Sequence, residues 1–128
     1  MGTVLLYNLS DADKRMKIKL ILYRLGLAAK DVSPEDFGCP LGYLLGQEDF
    51  APAGAEGTFA EEMLVMHNLR QDQFSSLLNA LRQARAPVAL KAVVTESNIV
   101  WSSLRLHNEL AAEHAAMQKH ARSVHRKA

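Results

Sequence analysis

Residues 4–10 read VLLYNLS, and residues 64–70 read LVMHNLR. In each stretch a short apolar run is followed by Asn, Leu and a position from which a helix can begin. Short apolar runs of this kind are typical of buried strands. Because Asn8 and Asn68 lie 60 positions apart, the two stretches predict that each half of the chain opens with a strand that leads into a helix.

The first half continues with a helix and a second, weaker strand. Ser10 is a suitable N-cap, and residues 11–25 are predicted to be helical up to Gly26, which occupies the position where left-handed backbone ends a helix. The run LAAKDV (27–32) predicts the second strand. In the stretch SPEDFGCPLGYLLG (33–46), Ser33 and Pro34 form a cap and first-turn pair, and Pro40 and Gly46 bracket LGYLL, which predicts one or two helical turns.

The second half follows the same order. MLVMH (63–67) predicts a strand, residues 71–84 a helix with one apolar face, and VALKAVV (88–94) a strand after Pro87. Ser102 is the expected N-cap of a long last helix.

These elements predict an α/β fold in a single domain, residues 1–128. Two strand–helix–strand–helix repeats, residues 3–46 and 61–124, form one four-stranded sheet with helices packed on it. Parallel pairing within each unit is expected, with right-handed crossovers. A split, ferredoxin-like arrangement is the alternative. Residues 47–60, rich in Ala and Gly, join the halves as a flexible linker or as a lid over a site.

Composition favours a compact cytoplasmic protein. Apolar residues make up 48% of the chain, which is enough to bury a core, and 15 bases nearly balance 14 acids. Cys39 is the only cysteine, so no internal disulfide can form. No signal-peptide pattern opens the chain, and no apolar run approaches the ~20 residues of a membrane span. We therefore expect no membrane partner.

The last ten residues, 119–128, contain Lys119, Arg122, Arg126 and Lys127 and no acid. Such a tail can contact nucleic acid or an acidic partner. Bases at the end of a helix also complement its dipole, and no aromatic residues interleave with these. We expect a solvated end and no nucleic-acid partner.

Six side chains follow the predicted strands and form a candidate ligand site. In open α/β sheets ligands bind outside the carboxyl ends of the strands, and helix N-termini favour anions. If all four strands run parallel, these side chains converge on a phosphate- or carboxylate-bearing ligand; a ferredoxin-like sheet would scatter them. The alternative is that Asn8, Asn68, Ser33 and Thr95 simply satisfy turn backbone. The six residues are Asn8, His67, Asn68, Arg70, Thr95 and Asn98.

Other chemistry finds little support. His67 and Cys39 lack a recognisable catalytic partner, and we expect a structural role for both. His107 and His114 lie seven positions apart, about 10.5 Å along a helix, which is too far for one metal ion. No nucleotide-binding or hydrolase motif is present. We therefore expect no catalytic residue, metal or cofactor.

The first helix carries two apolar faces. Ile18, Leu22 and their neighbours form the face expected to lie on the sheet. Met16, Leu20 and Tyr23 lie nearly opposite, separated from the first face by basic residues. This second stripe is expected to be covered by the last helix or by another copy of the protein. A homodimer is a natural form of the latter, since two-fold dimers are the commonest oligomers.

The stretch from residue 61 to 110 resembles a small bacterial family described only as a domain of unknown function. The matching features are MLVM (63–66), LKAVVTESN (90–98) and Trp101 before a Ser-capped helix. Arg70 departs from the small polar residue expected at that helix cap. The first half, including residues 33–46, resembles what precedes the domain in such proteins. The resemblance implies an α/β domain with no established activity and no catalytic residues to carry over.

Two functions are therefore expected. The first is a non-catalytic binding or protein-interaction domain, homodimeric through Met16, Leu20 and Tyr23. The alternative is a small enzyme or sensor that binds an anionic metabolite at the strand ends.

Overall fold

The computed structural model describes the backbone of residues 1–127 and the side chains of residues 1–119. Most of the basic tail therefore lies outside the described side chains. The strands are β1 (Thr3–Tyr7), β2 (Ala28–Asp31), β3 (Met63–His67) and β4 (Leu90–Val93), and the helices are α1 (Ala12–Arg24), α2 (Leu41–Leu44), α3 (Gln71–Gln83) and α4 (Ser103–Lys127). The predicted α/β class and the four-stranded sheet are confirmed.

The sheet has the strand order β2-β1-β3-β4. β1 runs parallel to β2, and β3 runs parallel to β4, with α1 and α3 as the respective crossovers. The central pair is antiparallel, with Thr3 opposite His67 and Tyr7 opposite Met63. The sheet is therefore mixed. The carboxyl ends of β1 and β2 lie at one end of the sheet, and those of β3 and β4 lie at the other end.

Neither the all-parallel sheet nor the ferredoxin-like arrangement is formed. In the split arrangement another strand separates the two strands of each unit, whereas β1 and β2 are direct neighbours here. Each crossover helix returns the chain to the adjacent position, as parallel pairing requires.

One face of the sheet is covered by α1 and α3. Ile18 and Leu22 of α1, with Leu77 and Leu81 of α3, pack on alternate residues of the central strands. The spacing of four between these residues is that of one helical face, so the predicted sheet-facing stripe of α1 is confirmed. The core of this face consists of Val4, Leu6, Leu9, Ile18, Leu22, Leu27, Leu64, Met66, Leu77, Leu81, Ala86 and Val88.

The start of α1 differs from the sequence prediction. Asp11, not Ser10, is the N-cap, and its Oδ1 accepts hydrogen bonds from the backbone N–H groups of Asp13 at 3.0 Å and Lys14 at 3.3 Å. Both residue types cap well, and the extended backbone at Asp11 decides between them. At the other end Gly26 adopts a φ of 75°, as predicted for a residue that follows a helix.

The opposite face is covered by α2, α4 and the segment of residues 47–60. Tyr7 lies at the centre of this face, with its ring centroid 5.7 Å from that of Phe37 and 5.9 Å from that of Phe59. The Tyr7 hydroxyl and Ser103 Oγ are 2.6 Å apart, and both residues are fully buried. Burial raises the pKa of Tyr7 far above its usual value, so the hydroxyl stays protonated.

Residues 47–60 form no helix or strand, but they are in contact with the fold at several points. Phe59 is buried, and Cys39 Sγ donates a hydrogen bond to the carbonyl oxygen of Ala53 at 3.4 Å. The backbone at Gly38 passes so close to the carbonyl of Gly54 that a side chain would overlap it. This close approach links the segment to the turn that precedes α2.

Replacing Gly38 by Ala should therefore destabilise the protein. The new methyl group would overlap the Gly54 carbonyl, a backbone atom that cannot rotate away. Overpacking of this kind costs about 1–3 kcal/mol, which urea unfolding followed by circular dichroism would measure.

Gly54→Ala is the matched control, because the space around a methyl group at Gly54 is open and its backbone φ is not left-handed. Its free energy of unfolding should stay the same or rise slightly. Equal destabilisation by the two substitutions would contradict the close approach.

Candidate functional site

The six predicted ligand-binding residues do not converge. Asn8 follows β1 at one end of the strands, while the other five lie at the carboxyl ends of β3 and β4, at the opposite end of the sheet. The two ends of the sheet are separated by the length of a five-residue strand, a distance of about 17 Å. The predicted convergence is therefore wrong for Asn8, because the central strands run antiparallel. The residues that share one end of the sheet are His67, Asn68, Arg70, Thr95 and Asn98.

Asn8 has a role in its own turn. Its φ of 60° lies in the left-handed region, which Asn adopts more readily than most residues. Its Nδ2 donates hydrogen bonds to the carbonyl oxygens of Phe59 at 2.9 Å and Glu61 at 3.0 Å. The side chain thus holds the approach to β3 against the end of β1.

Thr95 and Asn98 satisfy each other's backbone. Asn98 Oδ1 accepts from the N–H of Thr95 at 2.8 Å, and Thr95 Oγ1 accepts from the N–H of Asn98 at 3.1 Å. Asn98 is buried, and its Nδ2 donates to the carbonyl oxygen of Val93 at 3.1 Å. These contacts stabilise the turn after β4, and they occupy the groups that a ligand would need.

Arg70 occupies the N-cap of α3, where its side chain cannot accept a hydrogen bond. Gln73 supplies part of the cap instead, since its Oε1 accepts from the N–H of Arg70 at 3.0 Å. The guanidinium binds Asp72 through two hydrogen bonds of 3.1 and 3.3 Å, and this contact lowers the pKa of the Asp72 carboxyl. An anion at this helix end would compete with Asp72 for Arg70.

Two neighbouring cavities lie at the end of the sheet where β3 and β4 finish, which we call the β3–β4 end. One measures about 240 Å³, the other about 350 Å³, and Asn68 borders both. Asn68 has a φ of 61°, which turns the chain from β3 toward α3. The smaller cavity is lined by Met66, Asn68, Leu69, Gln71, Phe74 and Val93, and the larger by Met1, Gly2, Gly26, Asn68, Arg70 and Gln73. The β3–β4 end therefore offers space for a small ligand beside Arg70.

The second stripe of α1 faces outward. Met16 is 72% exposed, Leu20 47% and Tyr23 80%. The prediction that the last helix covers this stripe within the chain is wrong, because α4 packs on the opposite face of the sheet. We call these three side chains the outer face of α1.

Sequence reasoning missed a polar pair beside the aromatic cluster of the other face. Nε2 of the buried His107 lies 3.1 Å from Glu61 Oε2, and its Nδ1 lies 2.9 Å from Asn108 Oδ1. The His107 ring also stacks on Phe59, with centroids 4.0 Å apart and planes at 9°. Glu61 and His107 are 46 positions apart, so no local spacing links them.

Two further observations concern metal ligands and membrane-spanning helices. Within its described part, no three His, Cys, Asp or Glu side chains are grouped so that they could hold a metal ion. None of the helices in residues 1–127 combines the length and the apolar character required to cross a membrane.

Fold and site together define an α/β domain on a mixed four-stranded sheet. Residues 62–117, which span β3, α3, β4 and the first part of α4, match the model of a family described as a domain of unknown function, DUF3783. This match confirms the expected resemblance to an uncharacterised family. Comparison with curated proteins and with solved structures found no match.

A Glu61→Gln variant should be less stable than the parent near neutral pH, and the difference should become smaller in acid. A backbone hydrogen bond at Glu61 itself, followed by the charge and hydrogen bond of His107, holds the pKa of this carboxyl below its ordinary 4.5. The stabilisation by the carboxylate is therefore complete above the ordinary pKa and is lost as pH falls through the lowered one.

Urea unfolding near neutral pH and at about pH 3 would measure this difference. Glu56→Gln, at an exposed position in residues 47–60, is the control and should change little at either pH. A Glu61→Gln deficit that is the same at both pH values would assign the effect to packing and contradict the role of charge.

Proposed function

We propose that this chain is a non-catalytic protein-interaction domain that forms a homodimer through the outer face of α1. The observation that supports the proposal is the exposure of Met16, Leu20 and Tyr23 together on one side of one helix. Large apolar side chains that are exposed as a group mark surfaces for association.

A comparison of α1 with α3 makes this exposure more informative. Both helices place a buried pair on the sheet, Ile18 and Leu22 in α1 and Leu77 and Leu81 in α3. When these pairs are aligned, the outer positions of α1 correspond to polar residues of α3. Met16, Leu20 and Tyr23 correspond to Ser75, Asn79 and Arg82. Packing on the sheet therefore does not require apolar residues at these positions.

The energetics favour a second copy over a small contact. Full burial of one large apolar side chain contributes about 1.5–3 kcal/mol. Association costs about 4–15 kcal/mol in lost freedom. One stripe of three residues is marginal against this cost, whereas a two-fold interface buries the stripe of each copy. Loss of a single central residue should then be enough to separate the copies.

Leu20→Glu should convert the dimer to a monomer without unfolding it. A carboxylate at the middle of the stripe would replace an apolar contact and would have to lose its hydration in the interface, which disfavours association. Because Leu20 lies outside the core, the thermal unfolding of the separated chain should stay cooperative. Sedimentation velocity over a range of protein concentrations would report the mass.

Asn79→Glu is the matched control, since Asn79 is the corresponding exposed position of α3. It should leave the mass unchanged. A monomeric parent, or a Leu20→Glu variant that remains a dimer, would refute the proposal.

A second candidate function is a small enzyme or sensor that binds an anionic metabolite at the β3–β4 end of the sheet. The observation that favours it is the pair of cavities around Asn68, next to Arg70 and the N-terminus of α3. A helix N-terminus and a guanidinium both favour phosphate or carboxylate groups. Of the six predicted site residues, this candidate retains Asn68 and Arg70 as direct contacts, because both line the larger cavity. His67 lines neither cavity, and Asn8 lies at the other end of the sheet.

If this second function holds, a phosphorylated or carboxylate metabolite should raise the melting temperature, and Arg70→Ala should abolish the shift. A ligand at one hundred times its Kd stabilises the folded state by about 2.7 kcal/mol. A thermal-shift screen of such compounds would measure it, with Arg82→Ala, an exposed base on the last turn of α3, as control. An absence of any shift, or an equal shift in Arg70→Ala, would exclude the Arg70 site.

A further inference from the structure

We infer that the outer faces of two α1 helices pair antiparallel, with Tyr23 of each copy seated in a groove of the other and Asp13 opposite Arg24 of the second copy. This inference rests on the proposed function and specifies how the two surfaces fit.

A groove lies on α1 one turn before Tyr23. It encloses about 360 Å³ and is lined by Asp13, Met16, Lys17 and Leu20. Met16 and Leu20 supply apolar walls, Lys17 an ammonium group, and Asp13 a carboxylate at one end. A tyrosine suits such a groove, because its ring can contact both the apolar walls and the ammonium group.

Tyr23 is the side chain available to fill it. It is 80% exposed and belongs to the same helix face, so a two-fold axis brings it to the groove of the second copy. Helical side chains lean toward the N-terminus of their helix. In an antiparallel pair centred between Lys17 and Leu20, Tyr23 therefore leans toward Met16 and Lys17 of the opposite helix.

A parallel pair does not achieve this fit. It would place Tyr23 beside Tyr23 of the second copy and leave both grooves empty. It would also bring like charges together at each end, Asp13 against Asp13 and Arg24 against Arg24, which is destabilising. The antiparallel pair instead places Asp13 near Arg24 at both ends, over a span of about 16 Å.

The charges of α1 support this arrangement, because several of its bases are already engaged within the chain. Lys14 pairs with Glu62 and Lys19 with Asp31, each at 2.5 Å. Among the described side chains, Lys17 and Arg24 form no ion pair with a carboxylate. The exposed face thus presents Asp13 at its start, Lys17 near its middle and Arg24 at its end, and its two end charges are complementary when one helix is reversed.

Two charge reversals, Asp13→Arg and Arg24→Asp, test the arrangement. In each variant alone, the two contacts between copies become like-charge contacts, and the dimer should weaken about tenfold or more in Kd. In a mixture, the introduced guanidinium at position 13 of one chain faces the introduced carboxylate at position 24 of the other. The unchanged Arg24 of the first chain faces the unchanged Asp13 of the second, so both contacts are attractive again. The mixture should form the heterodimer at a Kd near that of the parent.

Native mass spectrometry of the two variants, alone and mixed in equal amounts, would measure the species, with circular dichroism confirming that each is folded. Asp72→Arg and Arg82→Asp, at the start and end of α3, form the control pair and should dimerise as the parent does, alone or mixed.

The outcomes separate this inference from the proposed function. A dimeric parent whose variants, when mixed, form no more heterodimer than chance would overturn the antiparallel pairing and leave the α1 interface standing. A parent that is monomeric at all concentrations would overturn both. Preferential heterodimer formation by the α1 pair, and not by the α3 pair, would support both.

Discussion

The antiparallel pairing of β1 with β3 determines where every other part of this protein lies. These two strands form the centre of the sheet, and each brings its own parallel partner to the outside. Because the two halves run in opposite directions, α1 and α3 meet on one face, and the other face is left to α2, α4 and residues 47–60. The outward orientation of the second α1 stripe follows, since the only long helix that could have covered it among the described residues is on the far side.

Local signals in the sequence were sufficient for the elements and insufficient for their directions. Gly26, the apolar runs and the spacing of Ile18 and Leu22 each act within a few residues, and the corresponding boundaries are close to those observed. The direction of β3 relative to β1 depends on contacts between residues some 60 positions apart. Either direction satisfies the local patterns, so the predicted meeting of Asn8 with Asn68 could not be checked from the sequence.

The candidate site shows the same division. The periodicity of α1 revealed Met16, Leu20 and Tyr23 as a stripe, since helical geometry alone places them on one side. Whether that stripe is covered depends on where α4 packs, which no local pattern encodes. The stacking of His107 on Phe59 and its contact with Glu61 arise from separate segments of the chain. Conversely, the alternative that Thr95 satisfies turn backbone could be derived from residue type, and its Oγ1 accepts a hydrogen bond from the N–H of Asn98.

The central position of β3 also bears on how this chain can be divided. Residues Met63 to Met66 are all buried, with β1 on one side and β4 on the other. A fragment that began at residue 62, where the family match starts, would turn β3 into an edge strand with unpaired backbone and an apolar surface. Exposed apolar edges of this kind recruit strands from other molecules and promote aggregation. The residues that match the family model therefore do not form a fragment that can be expressed as a folded, non-aggregating unit without the first half of the chain.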